Sequence, residues 1–239
     1  ILTHKKKWFH DTEAEVQRVE AVCGGYPVVV KPVNLGSSIG ISKARDRQQL
    51  EEAVETAMEY ADRVIVETCV ANLREINCSV LGDLDECQSS VCEEPLNATD
   101  ILTFGDKYES GSKGSSKGME SLSRKIPADL PEDVTEKIQH LAAEAFRAIN
   151  GNGVARIDFM MNNETGEVFI NEINTIPGSL AFYLWQESGI AFDELLDKMI
   201  WLAIKRKREK DALTVTFDTN ILSNNALGGS KGGKMGSKR

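Results

Sequence analysis

The chain lacks any apolar run near the roughly 20 residues that a bilayer demands, so no membrane-spanning helix and no membrane partner are expected. Positive charge is in short supply: 28 Lys and Arg stand against 37 Asp and Glu, a net charge of −9. That balance excludes a general nucleic-acid binder, and any affinity for phosphate has to be local. Cysteines are few and odd in number: Cys23, Cys69, Cys78, Cys87 and Cys92. With no second Cys or His pair at zinc spacing, Cys87 and Cys92 do not read as a metal site, and reduced thiols in a cytoplasm fit better. What is present is ordinary for a soluble globular protein. The 239 residues are 41% hydrophobic and 27% charged, enough for one large domain or two smaller ones. Ile1-Leu2-Thr3-His4 has no initiator Met and reads as the tail of a strand rather than a signal peptide. A fragment whose N-terminal part is missing is therefore expected.

Residues 26 to 81 alternate strand and helix. Tyr26 to Pro32 reads as a short buried strand closed by proline. Asp46 with Gln49 predicts a capping box for a helix over 47–61, whose stripe is Leu50, Ala53, Val54 and Ala57. Residues 64–67 and 75–81 read as further strands. Residues 105–121 are rich in Gly, Ser and Lys and read as a flexible linker or a lid. A helix follows, with Asp129 near its cap, Pro131 near its first turn, and Val134, Ile138, Leu141, Ala145 and Ile149 as its stripe; Asn150-Gly151 ends it. A last helix is predicted over 192–209, with Phe192, Leu195, Leu196, Met199, Ile200 and Ala203 apolar. Its basic end, Lys205 to Arg208, reads as a solvated end that complements the helix dipole. From Asn224 onward the Gly/Ser/Lys tail is expected to be disordered.

The segment from Gly153 to Gly178 places charged groups where a strand should hide apolar ones. Residues 154–161 and 167–174 read as two strands joined by the turn cluster Asn162-Asn163-Glu164-Thr165-Gly166. In a hairpin folded about Glu164 or Thr165, even-numbered residues of both strands share a face. Arg156, Asp158, Glu172 and Asn174 then cluster at one end of it. Three hard oxygen donors beside one guanidinium suit Mg²⁺ and phosphate. The competing reading is the polar outer face of an antiparallel sheet.

Lys31 ends a strand and leads into Gly36-Ser37-Ser38-Ile39-Gly40. Small residues let backbone N–H groups approach phosphate oxygens, hydroxyls add donors and Lys31 adds a point charge. The lysine precedes the glycines, so this is not a Walker A loop. Glu67-Thr68-Cys69-Val70 reads as a hinge, where Glu67 could accept from an adenine amine or simply lie in solvent. Glu75 could hold ribose hydroxyls.

In this order these pieces resemble the ATP-grasp superfamily, and within it the D-alanine–D-alanine ligase family. The carrying residues are Val29 to Pro32, Gly36 to Gly40, Val66-Glu67, Arg74-Glu75, Lys107-Tyr108, Arg156 to Phe159 and Asn171 to Gly178. The resemblance covers roughly residues 1 to 205. It implies an α+β fold in which two α/β subdomains with largely antiparallel sheets sandwich the nucleotide. These would be a small subdomain over 1–70 and a large one over 71–210 with a lid loop at about 102–121. Residues 211–239 would be a C-terminal extension and tail. It implies that Lys31, Ser37, Ser38, Glu67, Val70, Glu75 and Lys107 meet ATP, and that Asp158, Glu172 and Asn174 hold two Mg²⁺ (or Mn²⁺) ions. Arg156, Gly178, Ser38 and Lys107 would serve the chemistry, and Tyr108, Ser179 and Leu180 would meet substrate. The implied activity joins two D-alanines through an acyl phosphate, for peptidoglycan precursors, in a cytoplasmic protein that forms a homodimer at full length. A ligase that makes a D-alanyl–D-lactate or D-alanyl–D-serine product would carry the same motifs. A non-catalytic nucleotide-binding module is the reading from another class.

Overall fold

Two antiparallel sheets carry the chain in a computed structural model that describes residues 1–36, 39–96 and 124–214. The first sheet is built from β1 (Leu2–His4), β2 (Val28–Pro32), β3 (Ser42–Ala44) and β4 (Arg63–Thr68), in the order β1-β4-β2-β3. Its helices are α1 (Lys5–His10), α2 (Thr12–Cys23) and α3 (Arg47–Tyr60). Val28 and Val30 pair against Val66 and neighbouring residues of β4, and period-two alternation sends Val28, Val30, Val64 and Val66 into one core. There they meet Trp8, Val16, Leu50, Val54 and Met58, all at most 1% exposed. The cap of α3 forms through Asp46, which accepts from the Gln49 N–H at 2.8 Å. The return bond reaches the Arg45 N–H instead of the cap residue's own. Helices α1 and α2 have no counterpart in the sequence reading. They are charge-rich, and their buried residues are only Trp8, Glu15, Val16 and Val19.

The second sheet runs β7-β6-β5-β8-β9, from β5 (Leu73–Gly82), β6 (Cys87–Pro95), β7 (Arg124–Lys125), β8 (Gly153–Asn162) and β9 (Val168–Asn174). One face is apolar and covered by α4 (Glu132–Ala148). Ile138, Ala142 and Phe146 pack there on Ile76, Cys78, Val80, Ala155, Ile157 and Phe159. The buried row is rotated from the expected stripe, and Ile149 lies 46% exposed. The cap also differs: Pro131 occupies it, while Asp129 takes Lys125 at 2.9 Å instead of the helix amides.

The opposite face of this sheet changes character along its length. Near Gly82 and Gly153, Leu81 and Val154 are covered by Trp185, Ile190, Leu195 and Leu202 from α5 (Phe182–Glu187), α6 (Phe192–Asp211) and the link between them. Further along, the same face presents Ser79, Asn77, Arg156 and Asp158. Helix α6 buries less than its sequence suggests, since Phe192 and Ile200 are 49% and 58% exposed. Its Lys205 is not a solvated end. The ammonium sits 2.6 Å from both Asp83 and Asp85 and ties the helix to the β5–β6 turn.

The β8–β9 hairpin closes on the expected turn, with Asn162 Oδ1 accepting from the Glu164 and Thr165 amides. The expected parity holds only at its far end. Arg156 faces Asn174 and Asp158 faces Glu172, but a bulge shifts the register so that Phe159 faces Ile170 and Met160 faces Phe169. Asn171 is the extra residue, and beyond it even positions of one strand face odd positions of the other.

Candidate active site

Four strands set one row of polar side chains. Register places Glu93 of β6 opposite Asn77 of β5, Asn77 opposite Asp158 of β8, and Asp158 opposite Glu172 of β9. One residue pair along, Ser79 faces Arg156, and Arg156 faces Asn174. Arg156 grips Asp158 with both prongs, Nε to Oδ1 at 2.6 Å and an Nη to Oδ2 at 2.7 Å. The Asn174 amide donates to Asp158 Oδ2 at 2.9 Å. Burial works against the Arg156 cation, and the Asp158 carboxylate more than offsets it, holding the guanidinium above its ordinary value. Arg156, Asp158 and Asn174 thus form one bonded unit, with Glu172 across the strand from it.

Asp158, Glu172 and the Asn174 amide offer two carboxylates and one neutral oxygen. No group of three or more His, Cys, Asp or Glu that could hold a metal ion occurs among the described residues. This donor set fits Mg²⁺, which takes one or two carboxylates and keeps its other positions for water and phosphate. It does not fit zinc.

Glu93, Tyr183 and Arg124 extend the site, and sequence reasoning missed all three. Glu93 is 3% exposed and accepts from the Tyr183 hydroxyl and the Asn77 amide, both at 2.9 Å. Arg124 lies 3.5 Å from its other oxygen and 4.4 Å over the Tyr183 ring. Burial, then Glu93, pushes the Tyr183 phenol up to about 12. The one local signal for Glu93 was an acidic pair inside a strand; its importance comes from its register.

Lys31 on β2 brings the first sheet to this face. Its ammonium lies 2.6 Å from Glu67 Oε2, an ion pair lacking the angle of a hydrogen bond, since that buried oxygen has no hydrogen-bond partner. It also donates to Asn171 Oδ1 at 2.9 Å. Glu67 lies within β4 opposite Val29, a strand residue rather than a hinge. Val70 sits in the connection after β4, and Glu75 stands on β5 opposite Met160, two residues from Asn77. Ser37, Ser38, Lys107 and Tyr108 lie outside the described residues.

Gly178 opens a tight turn, Gly178–Ala181, that lies against β8. Ser179, Leu180 and Ala181 are all left-handed, with φ of 50°, 56° and 51°. Three consecutive non-glycine residues there are strained by about 1–2 kcal/mol each. Such strain persists where surrounding structure enforces it, here between β9 and the buried Leu184 and Trp185 of α5.

The chain matches the family model described as D-ala D-ala ligase C-terminus over residues 1–201. It is 43% identical over 207 residues to a D-alanine–D-alanine ligase of Acetivibrio thermocellus, covering 84% of this chain and 52% of that protein. A Bacillus licheniformis D-alanine–D-alanine ligase is 42% identical over 217 residues, covering 89% of this chain and 56% of that protein. The structure of the D-alanine–D-alanine ligase from Coxiella burnetii superposes with a TM-score of 0.67 at 31% identity, covering 84% of this chain and 50% of that one. The chain therefore spans about half the length of the curated relatives it matches.

Proposed function

The chain belongs to the family of D-alanine–D-alanine ligase C-terminal domains, and from that premise we propose that it is the nucleotide-binding, catalytic portion of an ATP-dependent ligase joining two D-alanines for peptidoglycan precursors. The observation that carries the reading is the cross-strand pair Asp158–Glu172 with Arg156 and Asn174 bonded to it. That arrangement also favours catalysis over a non-catalytic nucleotide module. The names of the curated relatives favour D-alanine over D-lactate or D-serine as second substrate.

In this proposal Lys31 meets the ATP phosphates, Glu67 and Val70 the adenine, and Glu75 the ribose. Asp158, Glu172 and Asn174 hold Mg²⁺, two ions in the full proposal. Bound there, Mg²⁺ neutralises the charge of the phosphates during transfer. The carboxylate of one D-alanine first attacks the γ-phosphorus of ATP and expels ADP; the amine of the second then attacks the acyl carbon, loses a proton and expels phosphate. Arg156 and the Gly178 amide face the oxyanion that develops at the attacked carbon, and Ser179 and Leu180 hold the carboxylate of the second substrate. Because little covalent work falls to the protein, positioning and charge placement carry the rate. A cytoplasmic setting and a homodimer at full length complete the proposal. No helix among the described residues is long and apolar enough to cross a membrane.

The test is a calorimetric titration with a non-hydrolysable ATP analogue, with and without Mg²⁺, on wild type and on Asp158→Asn/Glu172→Gln. Mg²⁺-dependent binding that the double variant loses is expected. Equal binding by both proteins would overturn the metal assignment.

A further inference from the structure

The bulge in β9 is the least expected feature of the site. Strict alternation from Glu172 would send Asn171 to the α4 face, where Ile173 packs. The bulge leaves Asn171 without a cross-strand partner, and its side chain reaches the first sheet. Its Oδ1 there accepts from Lys31 Nζ, a residue 140 positions away on the other sheet. Lys31 thus meets two partners, a hydrogen-bond acceptor in Asn171 and an ion-pair carboxylate in Glu67, one from each sheet. A lysine ammonium on its four-carbon stem is otherwise a mobile point charge.

We propose that Asn171 is a positioning residue: it orders the Lys31 ammonium between the two sheets before a phosphate ligand arrives. The inference rests on the reading of Lys31 as a phosphate-binding residue. Asn171 is suited to this task because it is neutral. It orients the ammonium without setting a second carboxylate, beside that of Glu67, against the charge that phosphate requires. The bulge and the amide act together, the first aiming the side chain and the second fixing the cation. Ordering one long side chain in advance corresponds to about two- to tenfold in affinity.

The experiment compares binding of an Mg²⁺-bound non-hydrolysable ATP analogue with binding of adenosine, in wild type, Asn171→Ala and Asn171→Asp. Asn171 is exposed on an edge strand, so both variants are expected to melt as wild type does. Asn171→Ala weakens the analogue about two- to tenfold and leaves adenosine unchanged. Asn171→Asp weakens it further, because its carboxylate competes with phosphate for Lys31. A purely structural role would lower both ligands alike, and that result overturns the proposal, as does an unchanged affinity for the analogue in Asn171→Ala. If wild type binds neither ligand, the nucleotide reading falls and this inference falls with it.

Discussion

Removing the Glu93 carboxylate should cost more than any other single truncation on the polar face of the second sheet. Glu93 is 3% exposed, and its Oε1 accepts two bonds at 2.9 Å, from the Tyr183 hydroxyl and the Asn77 amide. Asn77 is itself only 7% exposed. Glu93→Ala leaves both donors without a partner, at about 1–3 kcal/mol each. It also strips Arg124, whose side chain is 20% exposed, of the carboxylate 3.5 Å away. Water reaching Arg124 offsets part of that loss, so the sum is about 3–5 kcal/mol, as expected on breaking a buried pair from one side. For a protein of this size that is a fall in melting temperature of roughly 10 °C. Glu93→Gln keeps the volume and one acceptor oxygen, and the cost should drop to about 1–2 kcal/mol. Urea unfolding followed by circular dichroism measures both. A loss under 1 kcal/mol in Glu93→Ala, or equal losses in the two variants, would refute the assignment of Glu93 as the acceptor that Tyr183 and Asn77 depend on.

Gly82 ends β5 at φ +145°, and a Cβ there would lie 2.2 Å from the Glu86 carbonyl oxygen and 2.5 Å from Cys87 Cα. Gly82→Ala therefore has to move backbone, and urea unfolding should show a loss of about 3 kcal/mol. Asp83, next to it, is subject to two opposing influences. Burial raises its carboxyl, and Lys205 with the Glu86 and Asp85 amides lowers it further than that, leaving it below the usual value. A carboxyl lowered in the folded state stabilises at neutral pH and loses that stabilisation as pH falls below about 4. Asp83→Asn should accordingly be less stable than wild type at pH 7, with urea midpoints that draw together as pH falls below the carboxyl's ordinary value.

Legibility in the sequence followed locality. The Asn162 to Gly166 turn and the two flanking alternations are short-range signals. They sufficed to bring Arg156, Asp158, Glu172 and Asn174 to one end of one face, where the structure has them. The α3 stripe and its Asp46 cap were legible for the same reason. Helices α1 and α2 were not, since their few buried positions are diluted among charges and their burial depends on the sheet beneath. Helix α6 failed in the opposite sense. Its apolar spacing is real, yet Ile200 and Trp201 stay 58% and 61% exposed because only one side of the helix meets the sheet.

The sequence by itself determined the chemistry available and the local shapes that hold it: which strands carry charge in place of apolar residues, where they turn, and that Lys31 ends a buried strand. Tertiary structure alone decided who meets whom. Pairing of β6, β5 and β8 brings Glu93 into line with Asn77 and Asp158, although β5 and β8 lie about 80 residues apart in the chain. The bulge in β9 depends on how that strand settles against β8, and no residue type near Asn171 announces it. The bond from Lys31 to Asn171 depends on how the two sheets approach. Periodicity reports which face a residue takes on its own element; strand order, bulges and sheet approach are set by the packing of distant segments, which no local pattern contains.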